Sequence, residues 1–203
     1  MKLYYIKGAC SLAVRILINQ LQLNCQYISV DLSSKKTQSG DDFNKINPKG
    51  YVPALLLDND QLLTENIAIQ QYLADTYPEG NLLPPIGDFN RYLVLEKLAF
   101  VSTELHKGFS PIFNPSIDAK IKNEIFVSQL QKKFSYLNQG LSQKKFLMGD
   151  HFTLPDAYFY VMLFWGKKFS LDFSNHQNLQ AYFQRLSQHP AIKKSLEEEG
   201  LKV

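Results

Sequence analysis

The sequence predicts an α/β domain over residues 1–80, followed by an all-α domain over residues 88–203. Strand-like and helix-like patterns alternate along the first 77 residues, whereas every later pattern is helical. Five prolines and glycines fall between these two parts, in residues 78–87. Because such residues stop helices, the stretch 81–87 is interpreted as a linker between the two domains.

The first domain is predicted to have the element order β-α-β, then a loop, then β-β-α. The predicted elements are a strand at 2–6, a helix from Ser11, a strand at 26–30, a hairpin at 54–63 and a helix from Ile67 that ends before Pro78. Aromatic and branched side chains indicate the strands. Apolar residues at helical spacing indicate the helices. Residues 31–50 are polar and poorly periodic, so they are predicted to form a loop. This order is that of a thioredoxin-like domain, with its first two strands parallel.

The second domain is predicted to contain only helices. They are expected at 92–109, 117–141, 154–165, 178–187 and 190–199. Residues 154–165 are apolar on nearly every face, which is typical of a buried helix. Thr153 and Asp156, at the start of that helix, have the spacing of a capping box.

The composition excludes several classes of function. The formal net charge is only +3, and the longest basic runs are pairs such as Lys35–Lys36. Nucleic-acid and membrane-surface binding both need a longer basic stripe, so neither is expected. The four histidines are too scattered for a metal site, and no metal is expected. The chain has neither a signal-peptide pattern at its start nor an 18-residue apolar run, which predicts a soluble, cytoplasmic protein.

Cys10 is the first candidate for chemistry, because it lies where a strand turns into a helix. Unpaired N–H groups and the helix dipole favour a thiolate at such a position. The alternative is a small buried core residue, which is common for cysteine. A dithiol oxidoreductase would need a second cysteine at position 13, which is Ala13. The available disulfide chemistry is therefore monothiol, and Cys25 is interpreted as a packing residue.

Pro53 stands immediately before a predicted strand, where it cannot donate to a ladder. A cis bond is one way to place it there. That geometry would leave the N–H and C=O of Val52 open to an extended peptide. A trans proline that merely opens the strand is the alternative.

The segment Thr64-Glu65-Asn66 lies where a strand ends and a helix begins. Taken alone, Thr64 or Asn66 is a plain helix cap. The functional alternative is that exposed N–H groups bind a carboxylate, while Glu65 meets an ammonium group. A ligand that carries both groups on one carbon would satisfy this pair of demands.

Several segments together resemble the bacterial beta-class glutathione transferases, and the resemblance spans the whole chain. They are Gly8-Ala9-Cys10-Ser11-Leu12, residues 47–55, Leu63-Thr64-Glu65, residues 103–109, and the segment from Gly149 to Tyr158. The resemblance implies the cytosolic glutathione transferase fold, glutathione as co-substrate and a homodimer. It also implies conjugation of the glutathione thiolate to small hydrophobic electrophiles. A glutathione-dependent monothiol disulfide oxidoreductase using Cys10 and a non-catalytic ligand-binding protein are the alternatives.

The resemblance also implies roles for individual residues. The catalytic set is Cys10, His106, Tyr5 and Ser11. The glutathione-binding set is Lys35, Tyr51, Val52, Pro53, Glu65, Asn66, Thr103, Glu104 and Lys107. The resemblance implies that Pro53 is cis and that Lys35 pairs with the glycyl carboxylate of glutathione. It further implies that Thr103 and Glu104 reach the glutathione of the partner subunit. Aromatic residues such as Phe109, Phe113 and Phe164 are candidates for lining the apolar substrate site.

The chain departs from the family pattern at Ala99, where relatives often have asparagine. One hydrogen bond across the dimer is therefore expected to be missing, at a net cost of about 1 kcal/mol.

Overall fold

The computed structural model describes residues 1–202, which form two compact units. The first unit comprises Met1–Asn81 together with the C-terminal residues from His189, and the second is Leu82–Gln188. The predicted domains, 1–80 and 88–203, differ from this grouping mainly at the C-terminus. The last helix groups with the first unit because it packs against the first helix of the chain.

A four-stranded mixed sheet forms the centre of the first unit. Its strands are β1 (Lys2–Tyr5), β2 (Gln26–Ser29), β3 (Ala54–Leu56) and β4 (Leu62–Thr64), in the spatial order β2-β1-β3-β4. β1 and β2 are parallel, as predicted, whereas β3 is antiparallel to both β1 and β4. Leu3 pairs with Tyr27 on one side and with Leu55 on the other. Leu3 and Leu55 are both fully buried.

Helices make up most of the remaining chain. They are α1 (Ser11–Gln20), α2 (Phe43–Ile46), α3 (Asn66–Thr76), α4 (Phe89–Phe100), α5 (Lys107–Phe113), α6 (Ala119–Ile121), α7 (Ser128–Gly140), α8 (Leu154–Lys168), α9 (Gln177–Ser187) and α10 (Pro190–Glu198). π-helical turns at Val101–His106 join α4 to α5, and others at Lys122–Val127 join α6 to α7. In the part of the chain that the structure describes, no helix is both long enough and apolar enough to span a membrane.

Two predicted segments differ from the structure in detail. The predicted loop 31–50 contains the short helix α2, which is capped by the Asp42 carboxylate and anchored by the fully buried Phe43. Four residues are too few to produce a visible helical period. The predicted helix 92–109 begins at Phe89 and continues to Phe113 through the π-helical turns.

The predicted capping box at the start of α8 is confirmed. Asp156 is completely buried, and its carboxylate accepts four hydrogen bonds. They come from the N–H of Leu147 at 2.8 Å, the N–H and hydroxyl of Thr153 at 2.8 Å each, and the Tyr182 hydroxyl at 2.7 Å. The carboxylate thus joins the preceding loop, the start of α8 and α9. Burial raises the pKa of Asp156, and these donors oppose that effect.

Asp156→Ala is expected to destabilise the protein by about 3 kcal/mol, because it leaves several buried donors without an acceptor. Urea denaturation followed by circular dichroism measures the change in the free energy of unfolding. Asp150→Ala is the matched control, since Asp150 is exposed on the same loop. Equal unfolding midpoints for the two variants would show that the buried carboxylate does not organise this unit.

Candidate active site

The turn between β1 and α1 brings Cys10 to the segment that precedes β3. Cys10 is the N-cap residue of α1 and is only 8% exposed. Its thiol donates a hydrogen bond to the carbonyl oxygen of Val52, with the sulfur 3.4 Å from that oxygen. The two residues are 42 positions apart in the chain, so the fold itself creates this contact.

Polar side chains hold the Cys10 turn from two sides. The Ser11 hydroxyl lies 3.3 Å from both the N–H and the carbonyl oxygen of Ile6. The Asn66 side-chain amide donates to the Cys10 carbonyl at 2.8 Å, and Gln70 donates to the Asn66 side-chain oxygen at 2.6 Å. Ser11 is fully buried, so its hydroxyl fixes the turn rather than facing a ligand.

The interpretation of Thr64 or Asn66 as the cap of α3 is wrong, because the N-cap residue is Glu65. Asn66 is the first residue of the helix, and its side chain is directed to Cys10 instead. Among the residues that the structure describes, no side chain caps this end of α3, so its first backbone N–H groups can donate hydrogen bonds to an anionic ligand.

The peptide bond between Val52 and Pro53 is cis, as predicted. The preceding residue, Tyr51, is 74% exposed, and its carbonyl oxygen accepts a hydrogen bond from the Asn47 side-chain amide at 2.7 Å. Both polar groups of Val52 were expected to be open. Its carbonyl instead accepts the Cys10 thiol, while its N–H makes no hydrogen bond within the described residues. An extended peptide can therefore pair with Val52 through the N–H.

Charged side chains lie on either side of Val52 along the sequence. Lys35 donates from its ammonium group to the Gly50 carbonyl at 3.1 Å. The carboxylate of Glu65, which is 69% exposed, meets the Lys49 ammonium at 2.7 Å. Glu65 has a φ of +72°, a value that residues other than glycine adopt rarely and often at functional positions. Because an exposed ion pair is weak, the Glu65 carboxylate remains available to a ligand's ammonium group.

A buried arginine stabilises the first unit next to the Cys10 turn. The Arg15 guanidinium lies over the ring of Tyr5 at 4.3 Å and over that of Tyr27 at 3.7 Å. It pairs with Glu198 and Glu199, each at 3.1 Å. The resemblance places Tyr5 near the glutathione sulfur. In the structure its ring packs against the Arg15 guanidinium.

Glu199 links that ion cluster to the Cys10 turn. One of its carboxylate oxygens pairs with Arg15, and the other accepts the N–H of Gly8 at 2.7 Å. Burial raises the pKa of Glu199, an effect that Gly8 and Arg15 oppose. The end of the chain thus fixes the turn that leads into Cys10. Sequence reasoning missed this network, although a single arginine within the apolar run 12–18 was a signal of a buried charge.

His106 is the chemically distinctive residue of the second unit. Its Nδ1 lies 2.5 Å from the Tyr158 hydroxyl, and its ring makes an edge contact with Trp165. Burial, together with the positive charge of Lys107, lowers the pKa of His106 to about 4. The imidazole is therefore neutral at physiological pH.

The neighbouring predicted residues have partners within the second unit. The Thr103 hydroxyl donates to the Ala99 carbonyl at 3.0 Å, and Glu104 pairs with Lys133 at 2.9 Å. Their contacts with a partner subunit stay predictions. Phe109 is fully buried among other aromatic rings, including Phe134, so it is a core residue and not part of the lining of a substrate site.

Comparisons with known proteins agree with the fold. The chain matches the family model for the glutathione S-transferase N-terminal domain over residues 1–75 and that for the C-terminal domain over residues 100–190. It is 42% identical to glutathione S-transferase GstA of Escherichia coli O157:H7, with all of both chains covered.

Two solved structures extend the comparison. A sphingomonad glutathione S-transferase complexed with glutathione has a TM-score of 0.94 and 37% identity, and a bacterial beta-class glutathione S-transferase from Sphingomonas chungbukensis has a TM-score of 0.94 and 38% identity. All of each chain is covered in both comparisons. The chain therefore belongs to the glutathione S-transferase family. The beta-class resemblance and the fold predicted from it are confirmed.

Glu199→Ala is expected to lower the free energy of unfolding by about 3–5 kcal/mol, because Arg15 would keep a buried charge without its full set of partners. Urea denaturation provides the measurement. Glu197→Ala is the control, since Glu197 lies two residues earlier, in α10, and is exposed. A loss no greater than that of the control would contradict the assignment of the Glu199 carboxylate.

His106 should make stability depend on pH in a defined direction. Its pKa is lower in the folded protein than the unfolded value of about 6.5, so the unfolded chain binds the proton first as pH falls. The free energy of unfolding should therefore be constant at pH values well above 6.5 and fall progressively as the pH drops to about 4. Between about pH 7.5 and pH 5 the loss amounts to about 2 kcal/mol.

The measurement compares the wild-type protein with His106→Gln by urea denaturation at several pH values. The wild-type protein should lose the additional stability in acid, whereas the variant should not. Parallel curves for the two proteins would mean that the imidazole is not held neutral by the fold.

Proposed function

We propose that this glutathione transferase conjugates the glutathione thiolate to small hydrophobic electrophiles, using the Cys10–Val52 region as its glutathione site. The observation that carries the proposal is the contact between the Cys10 thiol and the Val52 carbonyl. It brings a thiol to the residue whose backbone N–H is open to an extended peptide. Glutathione is a peptide with a thiol at its central residue.

Each of the three residues of glutathione has a chemically matched group in the first unit. The cysteinyl backbone pairs with the Val52 N–H. The γ-glutamyl ammonium meets Glu65, and its α-carboxylate meets the uncapped N-terminus of α3, which begins at Asn66. The glycyl carboxylate pairs with Lys35, whose ammonium group lies on the Gly50 carbonyl.

The chemistry begins with ionisation of the glutathione thiol, whose proton passes to solvent. The thiolate attacks an electrophilic carbon, so that a sulfur–carbon bond forms and the leaving group departs with its electron pair. In this proposal the dipole of α1 and donors from His106 and Lys107 stabilise the thiolate. Each unit by which the thiol pKa falls corresponds to about 1.4 kcal/mol of preferential stabilisation.

Cys10 adds a second, related capability at the same position. Its thiolate can attack a glutathione disulfide, forming a mixed disulfide and releasing glutathione as a thiolate. Because position 13 is Ala13, resolution of the mixed disulfide needs an external thiol. Membership of the transferase family favours conjugation as the main activity and disulfide exchange as a subsidiary one.

The proposal includes a homodimer in the cytoplasm. Thr103 is exposed and Glu104 is partly exposed, so both can reach the partner's glutathione as the resemblance implies. The hydrogen bond that relatives make from the position of Ala99 is missing. Most hydrogen bonds to glutathione should therefore come from the first unit of the same subunit.

Glu65→Gln is expected to weaken glutathione binding about tenfold, because it removes the charge that meets the ligand's ammonium group. Isothermal titration calorimetry measures the dissociation constant. Glu79→Gln is the control, since Glu79 is exposed and lies beyond the end of α3. A glutathione analogue without the α-amino group should bind the wild-type protein and Glu65→Gln equally. Wild-type protein that binds no glutathione would overturn the proposed function, and a penalty that persists for the analogue would overturn the assignment of Glu65.

A further inference from the structure

A buried tyrosine is hydrogen-bonded to the imidazole of His106. Tyr158 lies in α8, is 1% exposed, and has its hydroxyl next to Nδ1 of His106. His106 ends the π-helical turns Val101–His106, and the Trp165 ring packs against its imidazole. All of these residues belong to the second unit, so their arrangement does not depend on the other one.

The chemistry of the two groups determines the direction of this hydrogen bond. A phenol, with a pKa near 10, is a much stronger acid than the N–H of a neutral imidazole. The unprotonated imidazole nitrogen is in turn a much better acceptor than a phenol oxygen. The phenol of Tyr158 therefore donates to Nδ1, and Nδ1 carries no proton of its own.

The neutral state of the ring then fixes the position of its one remaining proton. Burial keeps His106 uncharged at physiological pH, and the nearby charge of Lys107 acts in the same direction. A neutral imidazole with an unprotonated Nδ1 must carry its proton on Nε2. The ring can therefore donate from Nε2 but cannot accept a proton there.

We propose that Tyr158 is a positioning residue that holds His106 in its Nε2-protonated form, so that the imidazole acts as a hydrogen-bond donor and not as a base. This inference rests on the proposed function, in which His106 acts on the glutathione sulfur. A donor stabilises the thiolate, because hydrogen bonds to an ionised acceptor are strong. The thiol proton leaves to solvent, and His106 keeps its own proton throughout the reaction.

The first test reads the tautomer directly. Histidine labelled with nitrogen-15 reports by NMR which ring nitrogen carries the proton. The wild-type protein should show a protonated Nε2 and an unprotonated Nδ1 at His106, and Tyr158→Phe should show a mixture of both tautomers. Tyr160→Phe is the matched control, since Tyr160 is a fully buried phenol of the same helix that bonds Ser187 instead. A protonated Nδ1 in the wild-type protein, or an unchanged tautomer in Tyr158→Phe, would overturn the inference.

The second test asks whether the tautomer affects the reaction. Tyr158→Phe should lower kcat for conjugation about tenfold and leave the KM for glutathione unchanged, whereas Tyr160→Phe should change neither. Glutamine has a fixed N–H donor and no tautomers. In a His106→Gln background, Tyr158→Phe should therefore cause no further loss.

An equal loss of kcat in both backgrounds would show that Tyr158 has a merely structural role. Thermal unfolding of each variant separates a folding defect from this effect. Wild-type protein without conjugating activity would overturn the proposed function. The NMR result would still decide the tautomer.

Discussion

The hydrogen bond from the Cys10 thiol to the Val52 carbonyl is the contact on which the proposed glutathione site depends. It joins the start of α1 to the segment before β3, so a movement of either segment would break the hydrogen bond. The Cys10 turn is supported from several directions, by Ser11, by Asn66 and, through Gly8, by Glu199. The thiol is therefore positioned by the whole unit and not by its own helix alone.

Buried polar groups provide most of that support, and the protein loses stability wherever one of them loses its partner. Arg15 and Glu199 are both almost completely buried, and Asp156 has an equivalent function in the second unit. Each can be buried only because it forms an ion pair or accepts hydrogen bonds from several donors. His106 differs from these three residues, because it is neutral in its buried position and needs no charged partner. A neutral donor can stabilise a thiolate without the desolvation cost of a buried cation.

The sequence predicted those features that local patterns determine. The order of strands and helices in the first 77 residues, the capping box at Asp156 and the cis Pro53 all follow from short segments or from their resemblance to a family. The pairing of Arg15 with Glu198 joins positions 183 apart, and no local pattern predicts it. The same limit applies to the grouping of α10 with the first unit. The π-helical turns preserve the apolar spacing closely enough to look like one continuous helix.

The most direct test of the account is a titration of nitrogen-15-labelled protein with glutathione, followed by amide NMR. The account predicts saturable shifts at the backbone amides of Cys10, Val52 and Asn66, because the tripeptide lies along that segment with its sulfur beside the thiol. Cys25, near the start of β2, should not respond. Shifts confined to other parts of the chain, with these three amides unchanged at saturation, would contradict it.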